Sequence, residues 1–202
     1  AANEALRSMC QHEGRPLSEA RIFTAHTADD RIENFYMRSI VGTGPGGFRS
    51  MLYRNGPVVR PLLDLTRDEL RDYLSARESA GETVVRDESG ALWREDATNA
   101  HTDRFRAYVR HKIVPVAKEW NSALPEVLTR SMNLIADEDD MLQNMAEKLA
   151  EESAEWVAED DTFGIDRSEG FRLLPAFGKA ERPLQRRAVL RLLEAMLGPD
   201  AR

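Results

Sequence analysis

A histidine and three carboxylates near the start of the chain are the side chains best suited to chemistry. His26, Asp29, Asp30 and Glu33 fall within eight residues. Residues 21–25, which precede them, have the composition of a short apolar strand, and the residues that follow have the apolar spacing of a helix. We therefore predict that the carboxylates occupy the first turns of a helix, at the carboxyl end of a strand.

The spacing of these carboxylates fits two interpretations. Thr27 and Asp30 are placed to form a capping box, and acidic residues in a first turn complement the helix dipole. Glu33, however, shares a helix face with Asp29 and Asp30, and like charges so placed repel by roughly 0.2–0.5 kcal/mol per pair. A cation would relieve the repulsion, so the cluster is also a candidate site for a metal ion or an ammonium group.

The composition describes a folded protein with an acidic total. The 202 residues include 28 Lys and Arg against 35 Asp and Glu, for a formal net charge of -7, and 42% are hydrophobic. No apolar run approaches the ~20 residues that a membrane helix needs. The single Cys10 excludes an internal disulfide and offers no zinc-ligand spacing. We expect a cytoplasmic protein that does not bind nucleic acid over its whole surface.

The charges are unevenly placed along the chain. Residues 137–161 form an acidic series in which Lys148 is the one basic residue. This face is most simply a solvated one, although it would also keep RNA from the wrong surface. Arg106 and Arg110 belong to a basic cluster and share a helix face, which fits either solvent exposure or a grip on phosphate groups. The whole cluster is Arg104, Arg106, Arg110, His111 and Lys112.

Caps and breakers predict the elements that position the cluster. A first helix ends near Gly14, and the acidic helix ends at Val41, before the glycine-rich residues 42–47. That loop either brings backbone amides to a phosphate or is only a helix cap. The spacing also predicts which residues form the buried side of the acidic helix, namely Ile32, Phe35, Tyr36, Ser39 and Ile40.

Further elements follow from the same signals. Residues 57–63 are predicted to be extended, and residues 66–69 form a second capping box before a helix. Residues 75–90 lack a pattern and are predicted to form a loop. A helix follows from about Ala100 to Ala117, with three side chains predicted to point inward, namely Phe105, Val109 and Ile113.

Beyond Pro115 the pattern is helical. A heptad-like recurrence predicts a long helix, residues 162–174 are predicted to be an irregular linker, and a last helix begins at about Arg182. The long helix takes its apolar positions from Leu128, Ile135, Leu142, Met145 and Leu149. The last helix takes its apolar side from Leu184, Ala188, Leu192 and Met196.

Four segments occur in the same order as in the bacterial tRNA(Ile)-lysidine synthases, and the resemblance covers nearly the whole chain. Residues 26–33, HTADDRIE, resemble the family's H-[H/N]-x-D-D-Q-x-E stretch, and residues 42–51 its G-S-G-x-x-G-L-x-G-M loop. Residues 60–63, RPLL, and the helix after them resemble its R-P-L-L segment. Residues 96–99, DATN, with residues 106–115, resemble D-x-[S/T]-N followed by R-N-x-[I/L]-R-H and a proline.

The resemblance implies an α/β fold that is predominantly helical overall. Residues 1–118 would be the C-terminal part of a PP-loop ATPase/ligase domain, which is Rossmann-like and of the adenine-nucleotide-hydrolase type. Residues 119–202 would form an all-α helical domain that binds tRNA. In the family, ATP adenylates the C2 oxygen of the wobble cytidine of an isoleucine tRNA, and free lysine then attacks C2 and expels AMP.

The cofactors that the resemblance implies are ATP and Mg²⁺, and the implied partners are tRNA(Ile) and L-lysine. No membrane partner is expected, and a homodimer is left open. Asp30 and Glu33 would be the catalytic and lysine-binding residues. His26 and Asp29 would border the nucleotide. Arg110 would bind ATP as well as tRNA, and no residue is assigned to a metal. The implied tRNA-binding residues are Arg60, Asn99, Arg106 and Arg110.

Several features depart from the family pattern. The S-G-G-x-D-S phosphate loop is absent from the 202 residues, and the first residue is not Met. Arg31, Asn34 and Ala107 replace the usual Gln, Thr and Asn. We therefore expect either part of a longer enzyme or a decayed copy that acts as a non-catalytic tRNA-binding or helical interaction module. A related tRNA thiolase is a further alternative, which the single Cys10 disfavours.

Overall fold

The computed structural model of the protein describes residues 2–94, 104–157 and 170–197. It contains two compact units, Ala1–Ile135 and Ala136–Arg202. The division falls inside a long helix, whereas the sequence places a domain boundary after residue 118. That boundary stays a prediction, because the units measure compactness and not the extent of a functional domain.

The first unit combines helices with a small sheet. Its strands are β1 (Ile22–Phe23), β2 (Arg54–Asn55) and β3 (Val58–Val59). They lie in the order β1-β3-β2, with β1 parallel and β2 antiparallel to β3. The parallel pair requires a crossover, and its connection contains a helix, as in a β-α-β unit. The helices that accompany the sheet are α1 (Ala2–Glu13), α2 (Ala28–Val41) and α3 (Arg67–Ser79).

A helical segment with a widened turn follows in the first unit. It consists of α4 (Phe105–Tyr108), a π-helical turn (Val109–Ile113) and α5 (Val114–Trp120). The backbone N–H of Val114 donates to the carbonyl of Val109, five residues back. Pro115 explains the widening, because proline has no N–H and its ring crowds the carbonyl four residues earlier.

The core of the first unit lies beside α2. Ile32, Val109 and Met132 are fully buried, and Val114 is nearly so. Val109 and Val114 are five residues apart because the π turn shifts the inward face of the helix. Met132 belongs to α6 (Leu124–Ser153), the long helix that heptad spacing predicted.

The second unit pairs the end of α6 with a short antiparallel ladder and a final helix. The ladder joins β4 (Ala154–Val157) to β5 (Gly170–Leu173), and α7 (Arg182–Leu197) follows. Small side chains on the two helices allow close packing against a buried aromatic ring. The buried residues of this core are Ala146, Ala150, Phe177, Ala188 and Leu192.

Several local predictions are wrong. Ser39 and Ile40 are exposed, Ile40 at 55%, because the core reaches only the first half of α2. The predicted loop from residue 75 begins later, since α3 continues to Ser79. Phe105 and Met145 are 39% and 47% exposed, and Ala146 takes the inward place predicted for its neighbour.

The predicted linker at 162–174 is also wrong in part. Residues 170–173 form β5, so the described part of the second unit is not entirely helical. The ladder pairs Trp156 with Phe171, two rings whose centroids lie 6.0 Å apart. The broader expectation, an α/β fold that is predominantly helical, is confirmed. Within the described ranges, no helix combines the length and apolar character needed to span a membrane.

Candidate functional site

The predicted acidic cluster lies at the start of α2, as the sequence indicated. The Thr27 backbone N–H donates to Asp30 Oδ2 at 2.9 Å, and the Thr27 hydroxyl donates to the same oxygen at 3.0 Å. The capping box is therefore confirmed. The backbone N–H of Ala28 donates to the carbonyl of Leu65, which fixes the start of the helix against the segment before α3.

Glu33 is the centre of the cluster. Its side chain is 2% exposed, and three arginines surround it. Arg110 donates from Nε to Oε1 at 2.6 Å and from Nη2 to Oε2 at 3.0 Å. Arg106 Nε donates to Oε2 at 2.9 Å, and Arg67 Nη2 donates to Oε1 at 3.1 Å. Each carboxylate oxygen therefore accepts two charge-assisted hydrogen bonds.

Asp30 is held in the same way by its other oxygen. Arg67 Nη2 and Arg106 Nη2 donate to Asp30 Oδ1 at 2.8 and 2.9 Å. With the two Thr27 bonds to Oδ2, this carboxylate also accepts four hydrogen bonds. An ionised carboxylate has about four lone-pair positions, so both side chains are saturated in this arrangement.

Asp29 joins the cluster from its edge. The Arg67 backbone N–H donates to Asp29 Oδ2 at 2.8 Å, and Lys118 Nζ lies 3.3 Å from Oδ1. The carboxylate thereby links the start of α2 to the start of α3 and to α5. Because Arg67 uses both its backbone and its guanidinium here, it contacts all three carboxylates of the cluster.

The arginines keep the buried carboxylates ionised. Burial raises the pKa of Glu33, but the hydrogen bonds from Arg110 and Arg106 and the charge of Arg67 outweigh it and hold the pKa below its ordinary value. Burial also raises the pKa of Asp30, and the Thr27 N–H and the Arg67 charge reverse that effect. The pKa of Arg67 is raised, because the charges of Glu33 and Asp30 outweigh its own burial.

Among the residues that the structure describes, positive charges outnumber negative ones in the cluster. Three arginines and Lys118 face three carboxylates there, which leaves a formal charge of about +1 for these seven side chains. The side chains of Arg67 and Arg106 are 32% and 42% exposed, whereas the Glu33 side chain is buried. The Nη1 atoms of both arginines take no part in the bonds to the carboxylates. The exposed side of the cluster is therefore suited to phosphate oxygens.

The structure brings together five of the predicted site residues: Asp29, Asp30, Glu33, Arg106 and Arg110. His26 is half-buried, and its Nδ1 lies 2.9 Å from the Thr24 hydroxyl. Arg60 donates from Nη1 to the carbonyl of Leu52 at 2.9 Å, so it anchors the segment before β2. Asn99 and the DATN segment lie outside the described residues.

Sequence reasoning missed Arg67 and Lys118. Arg67 lies inside the second capping box, directly after the N-cap Thr66. Its position indicates the start of a helix but does not indicate a partner for its guanidinium. That box is confirmed, since the Thr66 N–H donates to Glu69 Oε2 at 2.7 Å and the Glu69 N–H donates to the Thr66 hydroxyl. Lys118 carried no local signal, because its partner Asp29 is 89 residues away in sequence.

A second polar network fixes the opposite side of α2. Arg31 is 1% exposed, and its guanidinium donates to Asn133 Oδ1 at 2.8 Å and to Asp64 Oδ1 at 3.4 Å. The Tyr53 hydroxyl donates to the same Asp64 oxygen, and Arg31 lies over the Tyr53 ring at 5.5 Å. Arg31, a departure from the resembled pattern, thus joins α2 to α6 and to the loop before α3.

The glycine-rich loop packs closely after α2. Gly42, at φ +93°, ends the helix, and residues 45–49 form a 3-10 helix. A Cβ on Gly47 would lie 1.8 Å from Thr43 Oγ1, so a larger residue at this position would force the Thr43 side chain to move. Ser50 adopts φ 63° and ψ -116°, a strained backbone, while its hydroxyl bonds the Arg31 carbonyl and Asn34. These contacts support the helix-cap interpretation of the loop.

A PP-loop domain family model matches residues 4–117, which is more than half of the chain. A tRNA(Ile)-lysidine synthase of Thermus thermophilus is 34% identical over 100% of the chain and 35% of its own length. Proteins of the same name from Rhodopirellula baltica and Porphyromonas gingivalis are 32% and 39% identical over 72% and 54% of the chain. The alignments cover 35% and 22% of those two relatives, so the chain spans about a third of the curated relatives or less. The match over residues 4–117 shows that the chain belongs to the PP-loop domain family.

Proposed function

We propose that this chain forms part of an ATP-dependent ligase that joins lysine to C2 of the wobble cytidine of an isoleucine tRNA, in the cytoplasm. The observation that carries the proposal is the juxtaposition of Asp30 and Glu33 with Arg67, Arg106 and Arg110. The carboxylates suit an ammonium group and the guanidiniums suit phosphates. The relatives named tRNA(Ile)-lysidine synthase support the choice of reaction.

Asp30 and Glu33 are proposed to bind and orient the lysine. Because their pKa values are lowered, they stay ionised near neutral pH and attract an ammonium group. The same shift makes them weak proton acceptors, so we assign them binding and orientation and not removal of a proton from the attacking amine. In the proposed step, the attacking amine nitrogen would bond to C2 of cytidine as the bond from C2 to the AMP oxygen breaks, and the proton that the amine loses would pass to water.

ATP binding fits the exposed side of the cluster. The PP-loop domain implies ATP binding, and the positive excess around Arg106 and Arg110 would hold phosphate groups. When bound, ATP would supply the adenylyl group that activates the C2 oxygen. His26 and Asp29 are proposed to border the nucleotide.

Mg²⁺ fits the described residues poorly. The oxygens of Asp30 and Glu33 are saturated by N–H and O–H donors, and no group of three or more potential ligands occurs in the described ranges. Divalent magnesium needs carboxylate or water oxygens that can face it. No chemical step is therefore assigned to Mg²⁺. The assay described below contains Mg²⁺ because ATP is supplied together with it.

The tRNA is proposed to contact the same basic surface. Arg106 is 42% exposed, and Arg110 lies beside it on the same helical segment. Arg60 and Asn99 are proposed as further tRNA contacts by resemblance. Such phosphate contacts would weaken with salt, because bound phosphates release counterions.

The test supplies the complete gene product with ATP, Mg²⁺, L-lysine and a tRNA(Ile) transcript that carries a wobble cytidine. Nucleoside mass spectrometry is expected to show cytidine converted to its lysine adduct. An unmodified cytidine, together with tRNA binding that persists without ATP, would overturn the ligase and favour the non-catalytic tRNA-binding module. Incorporation of sulfur would favour the thiolase alternative.

A further inference from the structure

The proposed lysine site and the arginine cluster use the same atoms. Glu33 accepts two hydrogen bonds on each oxygen, and Asp30 does the same with help from Thr27. A lysine ammonium has three donors and needs carboxylate lone pairs of its own. It can bind Glu33 only if one or more guanidiniums withdraw from that carboxylate.

Arg106 is the guanidinium best placed to withdraw. It is the most exposed of the three, at 42%, against 32% for Arg67 and 20% for Arg110. It also bridges the two carboxylates, with Nε on Glu33 and Nη2 on Asp30. Its withdrawal would therefore open one acceptor position on each, side by side, which is the arrangement that an ammonium group needs.

A polyphosphate supplies the force for that withdrawal. Guanidinium groups pair with phosphate oxygens as well as with carboxylates, and a triphosphate carries several negative charges. The bonds of Arg106 to the carboxylates use Nε and Nη2, so its Nη1 would be left to engage a phosphate before those bonds break. The guanidinium of Arg106 would then pair with the phosphate and no longer with the carboxylates.

We infer that Arg106 closes the lysine site and that binding of a nucleoside triphosphate opens it. This inference rests on the proposed function. Lysine and Arg106 compete for Asp30 and Glu33, and the triphosphate removes the competitor. Lysine and nucleotide therefore bind with positive coupling. Coupling between two ligands is reciprocal, so each must raise the affinity of the other by the same factor.

The experiment is calorimetric titration of the complete gene product with L-lysine, alone and saturated with a non-hydrolysable ATP analogue. For the wild type, the lysine Kd is expected to fall by about 5-fold or more with the analogue, the lower end of typical couplings. The Arg106→Gln variant is expected to bind lysine more tightly than the wild type without the analogue, and to respond to it less. Arg77→Gln, in an exposed pair with Glu82, is the matched control and should behave as the wild type.

The reverse titration guards against misfolding of the variant. In this titration the wild type alone is titrated with the analogue, with and without saturating lysine. Lysine must lower the Kd of the analogue by the same factor by which the analogue lowers the Kd of lysine. Equal lysine affinities with and without bound analogue would overturn the inference and leave the proposed function standing. No lysine binding in any condition, by the wild type or by Arg106→Gln, would overturn the proposed function itself.

Discussion

Arg110 holds Glu33 by a two-point fork, with Nε 2.6 Å from Oε1 and Nη2 3.0 Å from Oε2. The fork joins the second turn of α2 to the π-helical turn, across 77 residues of sequence. It explains how an acidic residue that is 2% exposed lies at the base of a helix next to two other carboxylates. The repulsion that spacing alone predicts is overcome by guanidiniums from distant elements.

The fork predicts a large stability effect at Glu33. The Glu33→Gln change would leave three guanidiniums with a neutral acceptor, and breaking one side of a buried ion pair costs about 3–5 kcal/mol. We expect the free energy of unfolding of the chain, measured in urea, to fall by that amount. Glu82→Gln removes an exposed partner of Arg77 and should cost about 1 kcal/mol or less. Equal costs for the two variants would contradict the geometry.

The lowered pKa values of Asp30 and Glu33 predict sensitivity to acid. Their ordinary values are 3.8 and 4.5, and the folded values lie below these. Near these values the unfolded chain binds protons that the folded chain does not, so stability declines as pH falls below about 4.5. The stabilisation is complete above that pH and is lost as pH passes through the folded pKa values.

Urea unfolding measured between about pH 6 and pH 3 checks this dependence. The Asp30→Asn, Glu33→Gln double variant should start less stable and lose stability less steeply in the acid range. Other carboxylates contribute a common background to both proteins. Parallel curves for the wild type and the double variant would show that the two carboxylates are not held by the arginines in solution.

Arg31 is predicted to stabilise α2 through its buried network. Arg31→Met would keep much of the volume but leave Asn133 Oδ1 and the Asp64 carboxylate without their guanidinium donor. We expect a loss of about 1–3 kcal/mol in the free energy of unfolding, because the charge-assisted hydrogen bonds of a buried guanidinium are removed. Arg54→Met, at an exposed position of β2, is the control and should change stability by about 0.5 kcal/mol or less. A neutral Arg31→Met variant would show that the network contributes no net stability.

Gly47 is predicted to be a position of its loop where an added methyl group forces a neighbouring side chain to move. In Gly47→Ala the new Cβ would meet Thr43 Oγ1 at 1.8 Å, and Thr43 Cβ and Cγ2 also lie close. We expect a lower midpoint of thermal unfolding, by several degrees for a cost of about 1–3 kcal/mol. Gly44→Ala, which has nothing within 4 Å of the added Cβ, should leave the midpoint nearly unchanged. Equal midpoints would mean that Thr43 rotates away without cost.

The acidic helix and its cap could be predicted because their signals are local. Thr27 and Asp30 are three residues apart, and the same holds for Thr66 and Glu69, so a capping box is visible in the sequence. Arg106 and Arg110 were recognised as a shared face for the same reason. The exposure of Ile40, by contrast, depends on how far the core extends along α2, which the spacing within the helix does not indicate.

The cluster that these elements form together was not predictable, because it depends on ion pairs between residues that are distant in sequence. Nothing near Lys118 points to Asp29, and nothing near Arg67 distinguishes it from an exposed first-turn arginine. The sequence therefore indicated carboxylates that await a cation. The structure shows that guanidiniums already pair with them, which moves the question from whether a cation binds to which cation binds.

Transfer of radiolabelled lysine to a tRNA(Ile) transcript by the complete gene product, with ATP present, tests the assigned site most directly. The wild type and the Glu82→Gln control should label the tRNA at equal rates. Asp30→Asn and Glu33→Gln should each be slower by about 100-fold, the effect of about 3 kcal/mol at a buried charge pair with the substrate. Both variants are assayed at temperatures where circular dichroism shows them folded. Labelling by folded Glu33→Gln at the wild-type rate would contradict the assignment of the lysine site.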